Sequence, residues 1–209
     1  MKAHAIDQRS AEWHTLRLGK LTGSKASDML ATLKSGGEAA GRRNLRIALA
    51  LERITGTSQE RSFTTQAMQD GIDREPEAVR LYQAKTGNLV DPMGFIEHDD
   101  LMTGYSPDGV VGDFEGLIEV KCPEPAAHLE YLGGHVPANY LAQINHGFWI
   151  TGALWCDFVS YQPTFPAGGQ LKVIRVERGD LTDYIAKATA FLSEVDKQVE
   201  AIAALVGAA

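Results

Sequence analysis

The stretch TGYSPDGVVGDFEGLIEVKCP, Thr103 to Pro123, decides how the rest of the chain is read. Short apolar runs are broken by a Pro-Asp-Gly turn and followed by Gly-Leu-Ile-Glu-Val-Lys, a strand pattern that ends in charge. Asp108 sits where the chain bends and can present its carboxylate. Glu119 and Lys121 are two apart on a strand, so both point to one face. Charges at the end of a buried strand carry a large desolvation cost unless something compensates. A divalent cation compensates, and Mg²⁺ typically takes one or two protein carboxylates and completes its shell with water and phosphate. A lysine beside such a carboxylate can hold or deprotonate an attacking water, while the ion lowers that water's pKa and neutralises charge developing at phosphorus. The spacing P-D-x10-E-x-K is therefore a working set for hydrolysing a phosphodiester. The competing reading is plainer: Asp108 stabilises a turn, and Glu119 and Lys121 form an ordinary ion pair.

Upstream of this stretch the pattern is helical. SAEWHTLRLG has Ser10 as N-cap and Gly19 at its end. TGSKASDMLATL reads as a short helix capped by Thr22, and KSGGEAAG (34–41) as a loop. From Arg42 to Thr55, Leu45, Leu49 and Ile54 recur at near-helical spacing, and Gly56 stops the helix. TTQAMQDGIDREPEAVRLYQAKTG reads as a long helix to Gly87, interrupted or kinked near Pro76, which lacks a backbone donor. Downstream, EPAAHLEYLGG and PANYLAQINHGFWITG are helices, the second with proline at its start and glycine at its end. LWCDFVSYQP and QLKVIRVER are strands, and LTDYIAKATAFLSEVDKQVEAIAALVGAA is an amphipathic C-terminal helix. This order predicts an α/β fold, a central mixed β-sheet flanked by helices.

The whole chain is compatible with that. Its 209 residues suit one domain with a real core. No apolar run is long enough for a transmembrane helix, and the first residues lack the apolar region of a secretory signal. Cys122 and Cys156 are far apart, make no metal-binding pair, and suit a reducing cytosol. The six histidines show no paired ligand spacing; His146 is the one to watch. The net charge of −7 hides an asymmetry. Residues 1–62 carry eleven Lys/Arg and six Asp/Glu, whereas residues 63–209 carry nine and twenty-one. A basic segment on an acidic chain hints at a surface that faces a polyanion.

Five short segments in order, EWHTLRLGKLTGS, GIDREPEAVRLYQAKTG, TGYSPDG, GLIEVKCP and NYLAQINHGFWITG, resemble the lambda exonuclease / YqaJ viral recombinase family, a branch of the PD-(D/E)xK nuclease superfamily. The resemblance implies a restriction-endonuclease-like fold and a single nuclease domain. Residues 1–62 would be a helical, basic, DNA-end-binding part, residues 63–178 the catalytic core and residues 179–209 a C-terminal helix. It implies that Asp108 and Glu119 bind metal with the Val120 backbone carbonyl, that Lys121 activates water, that Glu75 is an acid beside the metals, and that Gln143 lies near the catalytic centre. Arg17, Ser24 and Ser106 match the family's pocket for a terminal 5′-phosphate, and an arginine fork with hydroxyl donors suits that ligand.

The activity implied is a Mg²⁺-dependent 5′-to-3′ exonuclease on double-stranded DNA ends, with one or two ions per site and Mn²⁺ as substitute. It would release mononucleotides, leave a 3′ single-stranded tail, and serve phage-type recombination by single-strand annealing. The implied partners are a toroidal homotrimer of this chain and a single-strand annealing protein, with no membrane. The implied location is the cytoplasm of a bacterial host, from a phage or prophage gene. Two alternatives stay open on the residues alone: a structure-specific or nicking endonuclease of the same fold, and a non-catalytic DNA-end-binding protein.

Overall fold

A computed structural model of the chain describes residues 1–60 and 65–207. In order it contains β1 (Lys2–His4), α1 (Ala11–Arg17), β2 (Leu21–Thr22), α2 (Ala26–Leu30), α3 (Ala40–Thr55), α4 (Gln66–Thr86), β3 (Phe95–Glu97), β4 (Thr103–Tyr105), β5 (Gly109–Val111), β6 (Gly116–Lys121), α5 (Pro125–Leu132), α6 (Ala138–Thr151), β7 (Trp155–Tyr161), β8 (Leu171–Glu177) and α7 (Thr182–Val206). Single 3₁₀ turns occur at Gly23–Lys25 and Ala167–Gly169.

The strands divide between two four-stranded mixed sheets, ordered β1-β3-β4-β2 and β5-β6-β7-β8. Only Ser106, Pro107 and Asp108 separate β4 from β5, so the Pro-Asp turn bridges the two sheets. In the second sheet β6 runs parallel to β7, and β5 and β8 flank them antiparallel. Both central strands are buried along nearly their whole length, as a parallel pair covered on two faces should be.

The two-residue period of β6 sorts its side chains. Ile118 and Val120 pack with Ala78 and Tyr82 of α4, whereas Leu117 packs with Ile144 and Phe148 of α6. Glu119 and Lys121 share the α6 face with Leu117, and this alternation aims both charges at Gln143 and Tyr140. Helices therefore cover both faces of the second sheet, the flanked α/β arrangement expected from the sequence.

Several local expectations change. Leu21–Thr22 is a strand, parallel to β4, and the helix after it starts only at Ala26. Helix α3 begins at Ala40, inside the stretch read as a loop. Helix α4 is continuous through Pro76, so the interruption expected there is absent. Thr65 caps it, its side chain accepting from Met68 N–H at 3.1 Å. Thr64 and Arg61 of the sequence reading, and the last two residues of the C-terminal helix, lie outside the described residues.

Three arginines of the basic segment 1–62 are engaged by side chains of α7. Arg42 makes a two-pronged pair with Glu194 of α7 at 2.7 and 2.9 Å, and Arg46 bonds Glu38 and Gln198. Arg53 pairs with Asp196 and donates to the Gly19 carbonyl. These arginines fasten α3 to α7 and are not a free DNA-facing surface. Beneath them Leu45 and Leu49 pack with Tyr184, Phe191, Leu192 and Val195. Among the described residues, no helix is long and apolar enough to cross a membrane.

Candidate active site

The site is assembled at the bridge between the sheets. Asp108 Oδ2 accepts the Val120 N–H at 2.6 Å, which ties the turn to β6. Gln8 pins the same turn from outside, donating to the Pro107 carbonyl at 2.7 Å and to the Met93 carbonyl at 3.0 Å. Glu119 is 0% exposed. Its carboxylate collects three donors: Lys121 Nζ and, at 2.7 Å, Gln143 Nε2 on Oε1, and Tyr105 OH at 3.1 Å on Oε2. A buried carboxylate needs such a set, because each unpaired lone pair would carry a desolvation cost.

Tyr105 reaches Glu119 through a gap made by two glycines. A Cβ on Gly147 would lie 2.8 Å from the Tyr105 ring, and one on Gly23 would lie 2.7 Å from it. Neither contact is tolerable, so the absence of side chains at 23 and 147 lets α6 and the 3₁₀ turn close on the tyrosine.

The electrostatics follow from crowding two acids at a half-buried bridge. Burial first, then the charge of Glu119, lifts the Asp108 carboxyl to about 8; Lys121 opposes and Glu75 adds to the rise. Burial works against the Lys121 ammonium, but Glu119 and Asp108 outweigh it and hold the group above the ordinary lysine value. Burial, then Glu119, pushes the Tyr105 hydroxyl well above its ordinary value, which keeps it a neutral donor.

The pair of acids with one lysine is short of positive charge, and that shortage fits a divalent cation. Among the described residues, no three His, Cys, Asp or Glu side chains converge on one point, so the carboxylate set is the pair Asp108 and Glu119. That number suits Mg²⁺, which keeps several waters. Glu75 faces the pair from α4 but bonds Arg9, at 3.1 Å. Arg9 adopts a left-handed φ of 69°, unusual outside glycine, as the chain turns into α1.

The expected phosphate pocket is assembled in part. Arg17 donates to Ser106 Oγ at 3.2 Å, and its guanidinium lies 3.9 Å over the Trp13 ring. Trp13 Nε1 also bonds Ser106 Oγ, at 2.9 Å. Burial pulls the Arg17 guanidinium below its ordinary value, with Glu60 and Glu52 pulling the other way. Ser24 is exposed on its 3₁₀ turn and its hydroxyl meets Thr22 at 3.3 Å, so it joins neither Arg17 nor Ser106. His146 is buried and structural: its ring bonds Tyr184 OH at 2.7 Å, and Thr103 and the Gly104 carbonyl at 3.1 Å. Sequence reasoning missed Tyr105 as a partner of Glu119, and Trp13 as a partner of Arg17 and Ser106. The Tyr105 signal was present in TGYSPDG, three residues before Asp108.

Known proteins resemble this chain in sequence and in fold. A family model described as the YqaJ-like viral recombinase domain matches residues 12–154. The chain is similar to the crystal structure of an alkaline exonuclease (LHK-Exo) from Laribacter hongkongensis, with 36% identity, 95% of this chain and 98% of that chain covered, and a TM-score of 0.86. The same values hold for LHK-Exo in complex with dAMP. A phage related exonuclease from Haemophilus somnus 129PT shares the fold at 13% identity, with 90% and 96% covered and a TM-score of 0.68. No curated protein matched in sequence. The family match spans most of the chain and contains Arg17, Asp108, Glu119, Lys121 and Gln143, and with the 36% identity over nearly the full length it shows that the chain belongs to the YqaJ-like viral recombinase family.

Proposed function

We propose that the chain is a Mg²⁺-dependent exonuclease that degrades one strand of duplex DNA from a 5′-phosphorylated end. The observation that carries this reading is the single turn Ser106–Pro107–Asp108. Its first residue bonds Arg17 and its last bonds the backbone of the strand that bears Glu119 and Lys121. A terminal phosphate recognised at Arg17 would thus stand beside the hydrolytic group. The similarity to an alkaline exonuclease supports the same class of reaction.

The protein's own residues divide the work. Asp108 and Glu119, with the Val120 carbonyl and Glu75 nearby, would hold Mg²⁺, or Mn²⁺ in its place, as one or two ions; bound there, the metal supplies an activated water and offsets charge at the phosphate. Gln143 and Tyr105 fix the orientation of the Glu119 carboxylate. Lys121 directs its ammonium to the same face and positions the attacking water. Arg17 and Ser106 grip the 5′-phosphate, and the Trp13 ring holds the guanidinium flat beneath it.

The resemblance extends this reading to a toroidal homotrimer that releases mononucleotides, leaves 3′ tails and works with a single-strand annealing protein. It extends it also to a phage or prophage gene acting in a bacterial cytoplasm. The test is digestion of linear and closed-circular duplexes with Mg²⁺ or EDTA. The wild type degrades only linear DNA and needs Mg²⁺, while Asp108→Ala and Glu119→Ala are inactive but folded. Cleavage of closed circles at a comparable rate overturns the exonuclease reading in favour of an endonuclease.

A further inference from the structure

Arg17 shares its cavity with a carboxylate that the proposed chemistry leaves unused. The cavity, about 500 Å³, opens between α1, α2 and α3 and is lined by His14, Arg17, Lys25 and Glu60 among others. Glu60 pairs with Lys25 at 2.9 Å, both side chains being partly exposed. Burial disfavours the Glu60 charge, but Lys25, then Arg17 and His14, hold its carboxyl below the ordinary value. Among the described residues, Arg17 bonds only the neutral Ser106 hydroxyl through its side chain. Its balancing charge comes from Glu60 and Glu52 across the cavity.

The backbone behind Glu60 is fixed from below. Glu52, 6% exposed on α3, accepts the Gln59 N–H at 2.8 Å and the Gly19 N–H at 2.9 Å. This buried acid locks the chain just before Glu60 to the end of α1, which carries Arg17. The result is that Glu60 shares one space with Arg17, Lys25 and His14, while Asp28, Glu52 and Lys20 line the same cavity.

We infer that Glu60 is the specificity-determining residue of this pocket: its carboxylate stands in for the terminal phosphate beside Arg17 and Lys25, and an incoming DNA end must displace it. The inference rests on the reading of Arg17 as the 5′-phosphate site and adds its selectivity. A terminal phosphomonoester carries between about −1.5 and −2 charges near neutral pH, whereas an internal diester carries one. A diester would replace one single charge by another and gain nothing for the displacement. A monoester brings more charge and three acceptor oxygens, and it frees Lys25 as a second cation for itself. The ion pair thus refuses internal phosphates, and a 5′-hydroxyl end leaves it closed.

The experiment compares wild type and Glu60→Gln on matched linear duplexes ending in a 5′-phosphate, a 5′-methylphosphate (a diester cap) or a 5′-hydroxyl. It also measures inhibition by inorganic phosphate. Because Glu60 is partly exposed and screened, the expected gain is moderate, about fivefold. Glu60→Gln should lower KM for methylphosphate ends by that factor with kcat unchanged, and for phosphate ends by less, so that the preference for the monoester narrows. Hydroxyl ends should stay nearly constant, and inorganic phosphate should inhibit at lower concentration. The inference is overturned if the wild type prefers phosphate ends yet Glu60→Gln changes none of these, or if the variant improves all three ends equally, as a general charge effect would. A wild type with no phosphate preference, with Arg17→Ala slowing every end alike, overturns the Arg17 pocket itself and the inference with it.

Discussion

Asp108→Asn should remove a pH dependence of stability that the metal-free wild type shows between pH 6.5 and 8. The Asp108 carboxyl is lifted from 3.8 to about 8, by burial and then by Glu119. Its folded-state pKa lies above the unfolded one, so over that interval the folded state binds the extra proton and stability falls as pH rises. His146 has the opposite sign. Burial lowers it from 6.5 to about 3, so between those values the unfolded chain binds the extra proton and stability rises with pH. Where the two intervals overlap, slopes of about 1.4 kcal/mol per pH unit cancel. Above 6.5 only the Asp108 slope remains, and it costs about 2 kcal/mol by pH 8. The carboxylates held low, Glu38, Glu60 and Glu97, titrate in acid and stay out of this window. For a chain of this size the loss corresponds to a fall of about 4–8 °C in Tm. Thermal unfolding followed by circular dichroism in EDTA, from pH 6 to 8.5, reads it directly. The wild type should decline above 6.5 and Asp108→Asn should stay level. Added Mg²⁺ should reverse the wild-type trend, because the ligating carboxyls must be deprotonated. A level wild type, or an equal decline in the variant, refutes the reasoning.

Three further outcomes are expected. Tyr105→Phe removes one of the three donors to a buried carboxylate, so chemical denaturation should show a loss of about 1.5–3 kcal/mol, and kcat should fall with KM little changed. Gly147→Ala forces a methyl against the Tyr105 ring, an overpacking that costs about 1–3 kcal/mol; activity should drop with it, and Gly147→Ala combined with Tyr105→Ala should recover part of the stability. Glu194→Ala releases Arg42 from a partly exposed pair, so Tm should fall only slightly, by the equivalent of at most about 1 kcal/mol, and less still in high salt.

What could be read from the sequence was local. Asp108, Glu119 and Lys121 lie within one turn and one strand, so two-residue alternation alone put both charges of β6 on one face. The long helices, the buried strand β7 and the half-buried strand β8 followed from periodicity for the same reason. Strands β1 and β2 did not: they are three and two residues long, too short for any period to show. Pro76 looked like a break because a lost donor usually ends a helix, yet burial of Ala78 and Tyr82 against the sheet holds α4 together. The Tyr105–Glu119 bond depends on gaps at Gly23 and Gly147, from two distant segments, and no local pattern marks such a gap. Arg42 and Arg46 meet partners 152 residues away on α7, pairings that no local pattern in residues 1–62 reveals. Arg17 was reached through the family resemblance, and its neighbour Glu60 was not reached at all.

The central claim is that hydrolysis at Asp108 and Glu119 starts from a 5′ end held by Arg17. It is tested most directly by following one linear duplex labelled at the 5′-phosphate of one strand or at the 3′ end of the same strand. The 5′ label should be released at once as a mononucleotide, the 3′ label should appear only after a lag that lengthens with the duplex, and Arg17→Ala should suppress the early release. Early release of the 3′ label, or labelled internal fragments without mononucleotide, would contradict that claim.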